Sequence, residues 1–331
     1  MEVLVTGGAG YIGSTIASAL ADAGHRPVLL DDLSTGERAF LRGHDAYIGD
    51  VSDRALVRRI LKENRRIRAA VHCAARVVVP ESVTEPGRYY RTNVVGTLDL
   101  AEALLAGGVR DLVLSSSAAI YAPQADLTVD ESSPWHPVSP YARTKAMAEQ
   151  VLADLATATD LRVLSLRYFN PVGADPRLRT GPRPGATHAL GRLLEARRTG
   201  MPFAVTGTDH PTPDGTGIRD YVHVWDLARA HVAALERFDV ALGEERAVAI
   251  NLGTGRGTTV RELVAAFERV TGRSVPVVDA PPREGDTAGA YTRSDRAARL
   301  LGWTAELDLD EAIADALAWG ERPADLIAVG S

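Results

Sequence analysis

Tyr141 and Lys145 stand four positions apart in the segment SPYARTKAMAEQ. The composition of that segment favours helix, so both side chains project from one face. The chain holds 9 tyrosines, and of its 37 basic residues only Lys62 and Lys145 are lysine. A sequence that otherwise uses arginine has kept lysine one turn after a tyrosine. The pair has a physical use, because a phenol with an ordinary pKa of about 10 is a poor base at neutral pH. A nearby ammonium stabilises the phenolate and lowers that value, which equips the tyrosine to take a proton from a hydroxyl group. The bland alternative is an exposed tyrosine beside an unrelated lysine. Ser115, Ser116 and Ser117 end the apolar run DLVLSSS upstream, and any of them could position or relay that proton.

A second constellation lies at the start of the chain. In VLVTGGAGYIGSTIASAL, Gly7, Gly10 and Gly13 fall between a strand-like run and a helical pattern. Gly7 permits a sharp turn, Gly10 lets backbone amides approach a pyrophosphate, and Gly13 lets the helix pack on the sheet. The helix N-terminus adds partial positive charge for the phosphates. Asp31 ends the next strand-like run in LLDDLSTG. A carboxylate there accepts from the adenosine ribose 2′-hydroxyl and repels a 2′-phosphate, which favours NAD over NADP. Asp31 and Asp32 could instead only cap the next turn. Asp50, in IGDVSD, suits an adenine contact, or else the N-cap of the following helix.

These residues need a scaffold, and the apolar pattern supplies one. Val3–Thr6, Val28–Asp31, Ala46–Ile48, Ala70–Cys73, Leu112–Ser115 and Arg162–Arg167 read as buried parallel strands. Helical patterns lie between them at Ile12–Ala23, Arg54–Glu63, Asn93–Leu105 and Tyr141–Ala156. Such alternation predicts an α/β fold with a doubly wound, Rossmann-type parallel sheet. After Phe169, a stretch rich in proline and glycine (171–186) leads to shorter elements. These are a helix near 188–198, a strand at Phe203–Val205 and a helix at Trp225–Glu236, then a strand at Val248–Leu252, a helix at Thr259–Thr271 and a strand at Val275–Val278. The division expected is a cofactor-binding domain over 1–168 and a smaller α/β substrate domain over 169–331, with the 225–236 helix able to pack back on the first.

The charge balance narrows the class of partner. A net charge of −6 argues against general attraction to nucleic acid or acidic membrane. Cys73 is the only cysteine, which excludes an internal disulfide and a cysteine-rich metal site, and no histidine pair has zinc spacing. No metal is expected. No apolar run is long enough to span a membrane, and Met1 leads almost directly into the glycine turn with no secretory pattern. The expected location is the cytoplasm.

TGGAGYIG, DDLSTG, SSSAAIY and YxxxK, in this order, resemble the extended short-chain dehydrogenase/reductase superfamily. Within it, NPVGA, PTPDGTGIRDYVHVWDLA and PPREGD are similar to the UDP-glucose 4-epimerase family, over Val3 to about Trp319. The resemblance implies Ser117 as the catalytic serine, Tyr141 as the base and Lys145 as the partner of the nicotinamide ribose. Tightly bound NAD would accept hydride from carbon 4, the 4-keto sugar would turn over in the site, and hydride would return to its other face. UDP-glucose and UDP-galactose, and by extension their N-acetyl forms, would interconvert. The cofactor set implied is Gly7, Gly10, Tyr11, Ile12, Gly13, Asp31, Asp32, Ser34, Thr35, Gly36, Asp50, Val51, Ala74, Ala75, Arg76, Asn93, Ser115, Tyr141, Lys145 and Tyr168. The substrate set implied is Ser117, Asn170, Thr187, His188, Ala204, Arg219, Tyr221, Arg283 and Asp286. Arg219 and Arg283 would bind the diphosphate, since bidentate arginine suits phosphate. By similarity, a homodimer would form through the helices starting near Asn93 and Tyr141.

The chain departs from the family pattern in places. Cys73 replaces a usual aromatic and Pro80 a glycine; Thr206 stands where an aromatic often stacks on uracil; Thr187 and His188 lie in a phosphate-binding stretch that usually contains Asn. Ala290 falls at the position whose size gates the sugar's 2-substituent, with Tyr291 beside it. Three other functions compete. An epimerase of another nucleotide hexose keeps every feature above. A 4,6-dehydratase needs an acid and a base beside the serine, where this chain has Ala118 and Ala119. A non-catalytic NAD sensor would have no use for Tyr141 and Lys145. His72 and His223 read as structural.

Overall fold

Along each strand of the first half, successive apolar residues serve opposite faces of one sheet. The computed structural model of the chain describes residues 1–183, 185, 188–282 and 287–322. In chain order it contains β1 (Glu2–Thr6), α1 (Tyr11–Asp22), β2 (Arg26–Asp31), β3 (Asp45–Ile48), α2 (Arg54–Glu63), β4 (Ile67–His72), the short helices α3 (Val79–Thr84) and α4 (Pro86–Tyr90), and α5 (Gly96–Ala106). Then follow β5 (Asp111–Ser117), β6 (Thr128–Val129), α6 (Pro140–Ala158), β7 (Arg162–Tyr168), β8 (Asn170–Val172), α7 (Ala189–Thr199), β9 (Phe203–Thr206), β10 (Ile218–Arg219) and β11 (Tyr221–His223). The remainder is α8 (Val224–Glu236), α9 (Phe238–Leu242), β12 (Ala247–Leu252), β13 (Thr258–Thr259), α10 (Val260–Thr271), β14 (Val277–Ala280), β15 (Gly289–Thr292), α11 (Arg296–Leu301) and α12 (Leu309–Gly320).

Seven parallel strands form the central sheet in the order β12-β7-β5-β4-β1-β2-β3. Val3, Val5, Val71, Val113 and Leu164 face α1, α8, α9 and α11. Leu4, Val28, Ala70, Leu112 and Val163 face α2, α5 and α6. The one-residue offset between these sets is the pleat of the strands, and it produces two cores on one sheet. The strand order reverses between β1 and β4, and the crevice outside the carboxyl ends at such a reversal is where this architecture binds ligands.

The doubly wound sheet is as the sequence predicts, and most element ends fall within three residues of those read from the pattern. The interleaving of the two halves differs from the division at 168/169. β12 comes from the second half, yet it pairs with β7 from Ala247↔Val163 to Leu252↔Tyr168. α8 packs against α1. The chain therefore leaves the sheet after Tyr168 and returns to complete it, which a reading by local pattern does not detect. The remaining second-half elements gather around Leu190, Leu193, Val205, Leu263, Phe267 and Ile313 as a smaller core. A four-stranded sheet, β13-β10-β15-β6, borrows one strand from the first half.

Two local findings bear on the site. Asp53, not Asp50, caps α2, accepting from the amides of Ala55 and Leu56 at 2.9 and 3.0 Å. Pro80 sits in the first turn of α3, where a missing amide hydrogen costs nothing, so the exchange for glycine is accommodated.

Candidate active site

The turn after β1 is too tight for side chains. Gly7 has φ +69, and a Cβ there would meet the Ala74 nitrogen at 2.7 Å. A Cβ on Gly13 would lie 2.1 Å from the Gly7 carbonyl oxygen. The turn is thus pressed against the chain leaving β4, and α1 begins directly after it with Tyr11 and Ile12. Asp31 is buried and accepts from the amides of Ala9 at 2.9 Å and Leu33 at 2.8 Å. It ties the glycine turn after β1 to the loop after β2, with one carboxylate oxygen on each. Burial raises its pKa, against the pull of those amides. Asp32 accepts from the Ser34 amide at 2.8 Å. Gly36 touches both Asp31 and Ala9, where a Cβ would come within 2.7 Å of each. Arg183 closes over this loop, donating to the Thr35 carbonyl and pairing with Glu37 at 2.7 Å.

Further along the crevice, Asp50 accepts from the amide and hydroxyl of Ser52, both at 2.8 Å, and Val51 is buried under α5. Asn93 fixes the strip Ala74–Ala75–Arg76. Its amide group accepts from the Arg76 nitrogen at 2.8 Å, donates to the Arg76 carbonyl at 3.0 Å, and donates to the Thr144 hydroxyl at 3.0 Å. Thr144 precedes Lys145, so one asparagine ties the strip after β4 to the helix carrying the Tyr/Lys pair. His72 bonds Thr6 at 2.7 Å and Thr97 at 2.9 Å and is held neutral, its pKa lowered to about 3 by burial.

Tyr141 lies in the first turn of α6, which starts with Ser139 as N-cap and Pro140. Lys145 is buried and donates from Nζ to the Ser115 carbonyl at 2.7 Å. Burial lowers its pKa to about 8, opposed by Cys73 and Glu149. The Ser117 hydroxyl stands beside the Tyr141 phenol and favours its ionised form, while burial of the phenol acts more strongly in the other direction. The end of β5 thus presents Ser115 to the lysine and Ser117 to the tyrosine. Tyr168 ends the next strand and is buried with its pKa raised. Its hydroxyl donates a short hydrogen bond to Nε2 of His231, whose Nδ1 bonds the Leu227 carbonyl at 2.8 Å.

On the other wall, Asn170 and Tyr221 pair in register between β8 and β11. Tyr221 is buried, and its pKa is raised to about 12 by burial in spite of nearby Arg219. Arg219 donates to the carbonyls of Ile218 at 2.7 Å and Ala288 at 3.1 Å. A Cβ on Gly289 would come within 2.1 Å of its guanidinium. Ala290 pairs with Arg219 and packs on the cluster of Ile120, Ala146 and Phe169, together with Ala118. His188 caps α7, accepting from the Gly191 amide at 3.1 Å, while its buried Nε2 has no hydrogen-bond partner among the described residues. Ala204 is exposed on β9, and Thr206 ends that strand opposite Ala280. Thr187, Arg283 and Asp286 lie outside the described residues.

Comparison with known proteins fits this geometry. Residues 3–253 match the model of the NAD dependent epimerase/dehydratase family. The chain belongs to that family. A UDP-glucose 4-epimerase of Rhizobium leguminosarum bv. trifolii is 44% identical over 321 residues, covering 96% of each protein. A UDP-glucose 4-epimerase structure from Brucella ovis in complex with NAD superimposes with a TM-score of 0.90 at 42% identity, covering 96% of this chain and 98% of that one. Another, from Stenotrophomonas maltophila with bound NAD and formylated UDP-arabinopyranose, gives a TM-score of 0.91 at 39% identity, covering 96% and 97%. As a member of the family, the chain is an NAD-using enzyme, and the glycine turn fits the cofactor: Gly7, at φ +69, and Gly13 admit no Cβ, so the chain stays tight and bare of side chains where α1 begins, the kind of helix N-terminus that takes a pyrophosphate.

In this family member, several residues that support the site escaped the sequence reading. Glu149 and Arg167 form a buried ion pair at 2.7 Å behind Ser116. Arg167 interrupts the apolar strand RVLSLRY, a charge at a position where strands are buried, and that was the available signal. Asp220, between Arg219 and Tyr221, is fully buried and accepts from Thr254 and Gly255 at 2.7 to 3.0 Å, anchoring the segment. His231 sits on a helix face with ordinary apolar spacing, and nothing local marks it.

Proposed function

We propose that the chain interconverts UDP-glucose and UDP-galactose by inverting carbon 4 through a transient 4-keto sugar, with the N-acetylamino forms as further substrates. The observation that carries this reading is the meeting of Tyr141, Lys145 and Ser117 at the end of β5, in a sheet whose first strand leads into a glycine turn that admits no side chains. Solved relatives hold NAD together with UDP or a UDP-sugar, which supports a UDP-sugar on the Arg219 side.

When bound, NAD supplies the acceptor and then the donor of the electron pair exchanged with carbon 4, and a positive charge beside Tyr141. The chain's residues do the rest. Tyr141 takes the 4-hydroxyl proton and later returns it, and Ser117 positions that hydroxyl. Lys145 holds the ribose of the cofactor and, as an ammonium one turn along α6, favours the phenolate, while burial raises the Tyr141 pKa and the Ser117 hydroxyl lowers it. Arg219 and Arg283 hold the diphosphate, Asp286 the uridine ribose, and Asn170, Thr187 and His188 the phosphate region. The unpartnered Nε2 of His188 suits an oxygen acceptor, since Nδ1 is occupied by the helix cap. Ala118 and Ala119 leave no acid–base pair for dehydration.

Val95 on the turn entering α5 and Met147 on α6 are 50% and 45% exposed, which supports a homodimer through this helical face. Among the described residues no helix is long and apolar enough to cross a membrane, and a cytoplasmic site of action is consistent with that. The decisive experiment is incubation of the purified enzyme, without added NAD, with UDP-glucose, UDP-N-acetylglucosamine and TDP-glucose, followed by chromatography of the products. Conversion of UDP-glucose to UDP-galactose is expected. NAD-loaded enzyme inert toward every UDP-hexose would overturn the reading.

A further inference from the structure

Between β5, α6 and β7 lies a buried charged cluster that the reaction as described does not use. Glu149 is one turn beyond Lys145 on α6, and its side chain and that of Arg167 in β7 are 6% and 4% exposed. Arg167 grips the carboxylate through Nη2 at 2.7 Å and through Nε at 3.0 and 3.2 Å. The Ser116 hydroxyl donates a short hydrogen bond to the same carboxylate. Ser116 separates the two residues that serve the Tyr/Lys pair: the Ser115 carbonyl receives Lys145 at 2.7 Å, and Ser117 stands beside Tyr141. Arg167 is itself seated between the rings of Tyr121 and Trp135, 5.2 and 5.0 Å from their centres, which fixes the far end of the cluster.

We propose that Glu149 is a positioning residue for the Tyr141–Lys145 pair: it clamps the end of β5 to α6 through Ser116 and sets its carboxylate one helical turn from the Lys145 side chain. The inference rests on the reading of Lys145 given above. A buried ion pair adds little net stability compared with apolar side chains of the same size, so stability alone gives no reason for charge here. The surroundings of Lys145 do. Burial pushes the Cys73 thiol up to about 12 and His72 down to about 3, and it raises both Tyr141 and Tyr168. All four are uncharged while Lys145 titrates near 8. Glu149 is the carboxylate that acts on Lys145, and it does so in the direction that favours the ammonium.

The chain's lysine usage makes this directly measurable. Only Lys62 and Lys145 are present, and Lys62 is exposed on α2. Selective ¹³Cε-lysine labelling of the NAD-loaded Lys62→Arg enzyme leaves one lysine resonance, whose pH titration reports Lys145 alone. The variant Glu149→Gln/Arg167→Met removes the charge pair together, so no lone buried charge is left to unfold the protein. In it the Lys145 midpoint should fall by about one pH unit, and turnover at pH 8.5 should drop about eightfold with KM nearly unchanged. Ser116→Ala keeps the ion pair; it should lower kcat at every pH without moving the midpoint. An unchanged Lys145 midpoint in the double variant, or full kcat in Ser116→Ala, would overturn the proposal. Absence of epimerase activity in the unaltered enzyme would instead defeat the functional reading, and the lysine titration would still decide the coupling.

Discussion

The Tyr11 hydroxyl donates to the carbonyl oxygen of Gly173 at 2.7 Å, joining the first turn of the cofactor helix to the segment that follows β8. Tyr11 is therefore a structural bridge, and the bridge has neighbours. Thr15 bonds Thr180 at 2.8 Å, and Arg179 pairs with Asp22 at 2.9 Å. In Tyr11→Phe the buried Gly173 carbonyl loses its partner at a cost of about 1–3 kcal/mol. Thermal unfolding should shift down by a few degrees, about 2–4 °C per kcal/mol or somewhat less for a chain of this size. An unchanged melting temperature would show that solvent replaces the bond.

Tyr141→Phe removes the proton acceptor and leaves the ring in place. Turnover on UDP-glucose should fall by about 10²–10⁴-fold. NAD content, measured after denaturing the purified protein, should be unchanged, because the crevice glycines, Asp31 and Lys145 remain. Loss of both activity and NAD would assign Tyr141 to structure.

The parts of this molecule that were legible in the sequence are those made by local pattern. The parallel strands and the glycine turn follow from spacing alone, as does the Tyr141–Lys145 helix. What was not legible depends on partners far away in the chain. Asp50 was a reasonable cap for α2 until the geometry gave that role to Asp53. β12 reads as a strand of the second half, and only its pairing with β7 brings it into the main sheet. Glu149 looks like an ordinary polar position of α6; its burial follows from Arg167, 18 residues on, and from Ser116. Asp220 is silent for the same reason, since its partners Thr254 and Gly255 come from beyond β12.

The buried histidines predict how the fold responds to acid. His231 is kept neutral, with its pKa lowered to about 4 by burial. Unfolded, it would titrate near 6.5. Between these values the unfolded chain binds a proton that the folded chain does not, so stability from this residue is present above about 6.5 and is lost as pH falls toward 4. At pH 5 the loss amounts to about 2 kcal/mol. In His231→Gln the drop in melting temperature between pH 7 and pH 5 should be smaller than in the unaltered protein. An equal drop in both would mean that His231 takes up its proton without unfolding.

The exposed apolar residues of the α5–α6 face set a test of assembly. Val95→Asp and Met147→Glu place charge where two copies would meet, and a desolvated unpaired charge is costly. Each variant should elute as a monomer in size-exclusion chromatography with light scattering, with the unaltered chain a dimer. A monomeric unaltered chain would remove the homodimer from the functional reading.

Ala290 sets a test of substrate size. It pairs with Arg219 in register and packs, as does Ala118 immediately after Ser117, against the cluster of Ile120, Ala146 and Phe169. A methyl group there leaves space that a larger residue would fill. The unaltered enzyme should therefore turn over UDP-N-acetylglucosamine as well as UDP-glucose. Ala290→Tyr should lose the N-acetylated substrate by at least about tenfold in kcat/KM, a cost of about 1.4 kcal/mol, and keep most activity on UDP-glucose. Equal losses on both substrates would show that Ala290 supports packing around Phe169 and does not select the 2-substituent.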